Sequence, residues 1–194
     1  MLVRDVMTSP AITVTPQTSV KEGLRILDQH RVTALPVVGP DSRLLGIVSE
    51  ADLLHDAVRH DDRTHLIPQE HTRSHAPRNV EDVMTTLSMT VTPESDLSEA
   101  VDLMTGTAVK SLPVVERGRV VGVVSRSDVV HLLARSDDSV RAEIDELLRS
   151  AELEYHVEVE DGHVVLEGSH DPHKQRVAEV IANSARGVLS VHFR

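Results

Sequence analysis

The sequence predicts a mixed α/β (α+β) fold. It reads as two β-α-β-β-α repeats packed as a pseudo-twofold module, followed by a small α-β-β-α-β domain. Three observations carry this reading. Sliding the 194-residue chain by 77 positions aligns Val3–Val38 with Val80–Val115, with 15 of 36 positions identical. Capping and turn signals recur at matched places in both copies. From about Ser136 the pattern changes to a different set of helices and alternating strands.

The identities in the repeat are clustered. VxDVMT stands at Val3–Thr8 and Val80–Thr85, TVTP at Thr13–Pro16 and Thr90–Pro93, and LPVV at Leu35–Val38 and Leu112–Val115. After a one-residue difference in a turn, Gly46-Ile-Val-Ser-Glu-Ala-Asp52 matches Gly122-Val-Val-Ser-Arg-Ser-Asp128. The repeats therefore occupy 1–58 and 78–135, each too small to bury a sufficient core alone, so the two are expected to pack through their sheets.

Within a repeat, Thr13–Thr15 predicts a short strand stopped by Pro16. Ser19 with Glu22, and Asp96 with Glu99, have the spacing of a capping box. Val20, Leu24 and Leu27 then follow at helical spacing, as do Leu97, Val101 and Met104 in the second copy. Leu35–Val38 and Leu44–Val48 read as strands about a Gly39–Arg43 turn. Ser49 and Ser125 stand where an N-cap is wanted, opening helices through Leu53-Leu54 and Val129-Val130.

Residues 59–77 carry Arg59, His60, Asp61, Asp62, Arg63, His65, His71, His75 and two prolines with little apolar periodicity, and read as a His-rich linker. In 136–194, Asp137 or Ser139 is expected to cap a helix with Val140, Ile144, Leu147 and Leu148. Tyr155–Glu160 and His163–Gly168 form a hairpin about Asp161-Gly162. Asp171-Pro172 opens a helix with Val177, Val180 and Ile181 on one face, and Gly187–Phe193 closes as a strand.

Composition limits function. There is no Cys, no Trp, one Phe and one Tyr, which leaves no thiolate metal site, no thiol nucleophile and no aromatic platform for single-stranded nucleic acid. The net charge of −11 is the wrong sign for phosphate backbones or anionic membranes. No window is apolar enough to span a bilayer and the first residues meet charge at once, so a cytoplasmic location is expected. The motifs GxSxG, HExxH, GxxxxGK[ST] and GxGxxG are absent, and an enzyme is not expected.

The strongest constellation is Ser49-x-x-Asp52 with Ser125-x-x-Asp128, each after an aliphatic strand and at a helix start. A carboxylate accepts two parallel hydrogen bonds, which suits the vicinal hydroxyls of a ribose. The Ser hydroxyl and the first helical N–H groups would then face a sugar or phosphate oxygen. On local signals alone the same residues read as an N-cap and a first-turn acid.

With these motifs present twice, residues 1–135 resemble the CBS-domain family, whose domains pair as a Bateman module. The resemblance implies clefts between the paired units for an adenosine-containing ligand: AMP, ADP, ATP or S-adenosylmethionine, with no obligatory cofactor. By that resemblance Asp52 and Asp128 take the ribose, and Ser49 and Ser125 lie near ribose or phosphate. The base pocket is lined by Thr8, Ile12, Val14, Met89 and Val91, with Val32, Thr33 and Ala34 or Val109, Lys110 and Ser111. Arg31, Thr33 and Glu50 of the first copy become Ala108, Lys110 and Arg126 of the second. A site near Lys110 and Arg126 would thus have more cationic help than one near Glu50. A homodimer is implied by the resemblance alone; the regulated partner is unidentified, and neither nucleic acid nor membrane is an expected partner.

The C-terminal domain resembles the BON family through Val157-x-Val159-x-Asp161-Gly162-x-Val164-x-Leu166-x-Gly168 and Ala185-x-Gly187-Val188-x-Ser190-Val191. That family is associated with phospholipid or envelope binding. Here the domain has six Lys and Arg against 13 Asp and Glu, so contact with protein or ligand is preferred to lipid, beside a purely structural role. His55, His60 and His65, five apart, fall on different helical faces and are read as solvated rather than metal-binding. The expectation is a non-catalytic sensor of an adenosine ligand; the alternatives are a ligand-free interaction scaffold and a metal-responsive protein using the His-rich linker.

Overall fold

The computed structural model describes residues 1–55 and 77–194, which divide into a unit over Leu2–Ser125 and a unit holding Arg126–Arg194. Most of the linker 59–77 lies outside the described residues.

In the first unit each repeat opens with a 3₁₀ turn, Val3–Asp5 or Val80–Asp82. The first repeat continues through α1 (Val20–His30), β1 (Ala34–Val38), β2 (Leu44–Ser49) and α2 (Glu50–Leu54). The second supplies α3 (Leu97–Gly106), β3 (Ser111–Glu116) and β4 (Arg119–Ser125). Strands β1–β2 and β3–β4 are antiparallel hairpins, with the register shifting between Val37 and Val38 in the first and between Val114 and Val115 in the second. The strand expected over Thr13–Thr15 is a single parallel bridge, Val14 to Val37, and Val91 bridges Val114 in the same way. Pro16 and Pro93 follow too closely for a longer ladder.

Helix α1 begins as its sequence requires: the Glu22 N–H donates to the Ser19 hydroxyl at 3.1 Å. The Glu22 carboxylate, however, turns to Arg25 and does not return to the cap backbone. At α3 the Asp96 carboxylate accepts from the Ser98 N–H and hydroxyl, both at 3.0 Å, and Glu99 takes no part. The buried face of α3 is Leu97, Ala100 and Met104, with Val101 half-buried.

The repeats exchange their openings. Val80, at the start of the second repeat, is fully buried in the core of the first, beside Leu27, Leu35, Val48 and Leu53, with Val83 and Met84 packed against it. Its N–H donates to Thr18 and that of Val20 to Arg78, at 2.8 and 3.0 Å. Conversely, Val3 donates to Ser95 at 3.0 Å and Thr8 exchanges hydrogen bonds with Val123 of β4. Thr85 does the same with Ile47 of β2, both bonds being 2.9 Å. Each hairpin thus carries a bridge from its own repeat on one edge and a bridge from the other repeat on the opposite edge.

This exchange explains the glycine of each Gly-h-h-Ser-x-x-Asp close. A Cβ on Gly46 would stand 2.5 Å from the Thr85 carbonyl oxygen, and one on Gly122 would stand 2.9 Å from that of Thr8. Backbone crosses backbone there, and only glycine leaves room.

The second unit contains α4 (Arg126–Leu133), α5 (Asp137–Ser150), β5 (Tyr155–Glu160), β6 (His163–Gly168), α6 (Pro172–Ser184) and β7 (Ser190–Phe193). Its sheet has the order β5-β6-β7, with β6 and β7 parallel and linked through α6. The core is Val140, Ile144 and Leu148 of α5, Val157, Val164 and Leu166 of the sheet, and Ala178, Ala182 and Ala185. Tyr155 and Phe193 meet edge to face at 6.1 Å.

Two expectations fail here. Val177 and Val180 lie on the exposed side of α6, Val180 at 66% exposure, while its buried face is alanine with Ile181 half-buried. Small side chains let the helix approach closely, and the aliphatic spacing concealed this. The N-cap of α5 is Ser136, without a side-chain cap bond, and neither Asp137 nor Ser139 caps it. Asp137 instead grips the hairpin, accepting the Asp161 and Gly162 N–H groups at 2.8 and 2.9 Å. Both turn residues have positive φ, 50° and 77°, as a two-residue turn of this hand requires.

Candidate ligand-binding cleft

The Ser-x-x-Asp spacing builds a reciprocal cap. The Ser49 hydroxyl accepts the Asp52 N–H at 3.3 Å and donates to Asp52 Oδ2 at 2.7 Å, while the Ser49 N–H donates to the same oxygen at 2.8 Å. One carboxylate oxygen is therefore committed twice to Ser49. Among the described residues Oδ1 takes no hydrogen bond and is left to accept one. With five residues, α2 is too short to act as a dipole-based phosphate site; the chemistry comes from side chains.

Around this cap lies a cleft of about 540 Å³, in the range of small-molecule sites. The first repeat contributes Thr33, Ala34 and Ile47 with Ser49, Glu50, Ala51, Asp52 and Leu54; the second contributes Thr85, Leu87, Ser88 and Met89 with Ala108–Ser111. Two bonds fasten the floor. The Glu50 N–H donates to the Thr33 carbonyl at 2.9 Å, and the Thr33 and Ser111 hydroxyls meet across the repeats at 3.3 Å. Ser111 is 3% exposed, a buried polar group satisfied by that contact.

Of the residues singled out in the sequence, the cleft collects Ser49, Asp52, Thr33, Ala34, Met89, Val109, Lys110 and Ser111. It does not collect Val14 and Val91, which are buried at the sheet edges, nor Ile12 and Val32, which pack against the first repeat's core. Thr8 is engaged with Val123 on β4. Ser125 ends β4, and Arg126 and Asp128 lie on α4. Lys110 shares its cleft with Glu50, so the expected division into a Lys110 site and a Glu50 site does not hold. Sequence reasoning placed Glu50 near a site and paired Ala108 with Arg31, but missed Ala51, Leu54, Thr85, Leu87 and Ser88 as lining. The signal was available in principle, since the alignment equates Thr85 with Thr8, but not which repeat's hairpin each joins.

Comparison with known proteins bears on the same residues. The CBS domain model matches residues 3–59 and 80–135, more than half of the chain. The chain belongs to the CBS domain family. Among its relatives are an uncharacterized protein of Methanocaldococcus jannaschii, 27% identical over 154 residues and covering 69% of this chain and 91% of that one, and a CBS domain-containing protein of Dictyostelium discoideum, 31% identical, covering 70% and 92%. Other relatives are much longer. The chain spans 14% of an A-adding tRNA nucleotidyltransferase of Aquifex aeolicus and 26% of an inosine-5′-monophosphate dehydrogenase of Korarchaeum cryptofilum.

Solved CBS pairs agree with the fold. The CBS domain pair of protein MJ0100, in complex with 5′-methylthioadenosine and S-adenosylmethionine, matches with a TM-score of 0.56 and 25% identity, over 68% of this chain and 98% of that one. CBSX2 of Arabidopsis thaliana in complex with AMP matches with a TM-score of 0.54 and 30% identity, over 67% and 93%. The CBS domain model ends at residue 135, before the C-terminal domain.

Among the described residues no group of three or more His, Asp or Glu side chains is arranged to hold a metal ion. His60, His65, Asp61 and Asp62 lie outside the described residues. Within them, no helix is long and apolar enough to cross a membrane.

Proposed function

We propose that the protein is a non-catalytic regulatory sensor whose Asp52 cleft takes an adenosine-containing ligand, with AMP, ADP, ATP and S-adenosylmethionine as the candidate class. One observation carries this reading: the Ser49–Asp52 cap opens onto a cleft of about 540 Å³ whose walls come from both repeats. Asp52 Oδ1 accepts a ribose hydroxyl. Ala34, Ile47, Met89 and Val109 hold the base by aliphatic contact, since the unit has no Phe, Tyr or Trp. The adenosine complexes of two CBS-pair neighbours support the ligand class.

A ligand touching both repeats binds one mutual arrangement more tightly than another, and that difference is the signal. By correspondence with Ser49 and Asp52, Ser125 and Asp128 serve a second ligand, with Arg126 in place of Glu50. The α-β-β-α-β order of the C-terminal domain supports the BON-like reading, and we assign it a contact role toward a regulated protein in a cytoplasmic homodimer.

Thermal shift tests the cleft. A ligand at 100 times its Kd stabilises the folded state by about 2.7 kcal/mol. Asp52→Ala is expected to weaken AMP and S-adenosylmethionine at least about tenfold, the equivalent of 1.4 kcal/mol. Absence of any shift with every adenosine ligand, in the wild-type protein, overturns the reading in favour of an interaction scaffold.

A further inference from the structure

Helix α4 closes the second repeat in the sequence, and the CBS domain model runs through it to residue 135, yet α4 folds within the unit Arg126–Arg194. Two contacts fix it there. Arg135, just past the end of α4, pairs with Glu143 of α5 and donates to the Arg186 carbonyl at 2.9 Å. The Arg186 N–H donates to the other oxygen of Glu143 at 3.4 Å, which closes a ring. The Arg135 and Glu143 side chains are 26% and 32% exposed, so solvent weakens this ring less than it weakens an open surface pair. Beside the ring lies Gly187, with a φ of 93°. A Cβ there would stand 3.2 Å from the Leu132 carbonyl oxygen and 3.1 Å from Val140 of α5, so α4, α5 and the Arg186-Gly187 turn converge on one point.

The matching helix of the first repeat is anchored differently. In α2, Leu53 is 1% exposed, sits in the core of its own repeat and packs against Gly23 of α1. Val129, which the alignment places opposite Leu53, is only half-buried, and the buried side chain of α4 is Leu132, one turn beyond Asp128. A helix of eight residues does not hold its shape without tertiary packing. The position of Asp128 therefore depends on what grips the far end of α4.

Resting on the reading that Asp128 serves an adenosine ligand, we propose that Arg135 is a positioning residue for that acid. Through the ring with Glu143 and Arg186, the C-terminal domain holds α4, and with it Asp128, in the geometry that binds. Asp52 is held by the first repeat's own core and is independent of the ring. By linkage the coupling runs in reverse: a ligand on Asp128 tightens the ring, so the C-terminal domain reads the occupancy of one acid and not of the other.

The test uses the full chain with AMP as the probe. Calorimetry on Asp52→Ala reports the Asp128 ligand, and on Asp128→Ala the Asp52 ligand. Adding Arg135→Gln is expected to weaken AMP about fivefold or more in the Asp52→Ala protein, and less than about twofold in the Asp128→Ala protein. Hydrogen exchange checks the reverse direction with the ring intact. AMP should slow exchange at the Arg186 and Gly187 amides in the wild type and in Asp52→Ala, and leave both unchanged in Asp128→Ala.

Three results overturn the proposal. Equal weakening in the two backgrounds makes Arg135 a structural residue without preference for Asp128. AMP that binds Asp52→Ala with an affinity unmoved by Arg135→Gln, and without slowing exchange at Arg186 and Gly187, leaves the Asp128 ligand standing and removes the coupling. Failure of Asp52→Ala to bind AMP overturns the reading of Asp128 itself, and this inference with it.

Discussion

Asp82 shows how much one carboxylate organises. It closes the opening turn of the second repeat, accepting the N–H groups of Asn79 at 3.0 Å and Arg78 at 2.9 Å, and these bonds hold its pKa below the ordinary carboxylate value of 3.8. Asp5 takes the Leu2 N–H at 2.9 Å in the matching place. A depressed folded pKa means that the stabilisation is present above the ordinary value and is lost as pH falls through the folded one. Asp82→Asn should therefore lower the urea midpoint at pH 7, and lower it progressively less as the pH is taken down below 3.8, where the carboxylate's contribution is being lost. Equal losses throughout would remove the carboxylate charge from the account. The VxDVMT motif read in the sequence thus owes its Asp to a turn, not to ligand chemistry.

Among the elements, the β5–β6 hairpin is set from outside its own strands. The Asp161-Gly162 turn was legible because two positive-φ residues between alternating runs leave few other choices. That Asp137 would seize both of its N–H groups from 24 residues away was not legible, since local spacing assigned Asp137 to its own helix. Hydrogen bonds to a charged acceptor contribute about 1.5–3 kcal/mol together with the penalty of stranding a donor. Asp137→Ala should destabilise this unit by about that amount, and hydrogen exchange at Asp161 and Gly162 should accelerate; exchange unchanged at those two amides would refute the clasp. The reversal of α6, with alanines inward and Val180 outward, has a similar cause. Periodicity finds where a stripe could lie, but close approach of backbones favours small residues that carry little hydrophobic signal.

At the scale of the whole molecule, the duplication was the most readable feature, because 15 matched positions of 36 leave no other account of the spacing. The composition of the cleft was readable only in part. Ser49, Asp52 and Lys110 were found, yet the partition between copies was not, since pairing an opening segment with its own hairpin or with the other's satisfies the same alternation. The exchange is open to test. Gly46→Ala sets a methyl against the Thr85 carbonyl, and overpacking against backbone costs about 1–3 kcal/mol. It should lower the thermal midpoint and weaken adenosine-ligand binding together, because Thr85 lines the cleft. A midpoint equal to wild type would show that the crossing yields without strain.

The crossed openings also bear on how such a chain can change through descent. The second copy supplies part of the first's core and each copy supplies part of the other's sheet edge, so a mutation in one copy is judged by the fit of both. Gly46 is tied to Thr85 and Gly122 to Thr8, so a change at either glycine is felt in the other copy's opening. The two halves are thus the same both at the glycines where they interlock and at the Ser-x-x-Asp close, and they differ at Thr33 and Lys110, which line the cleft.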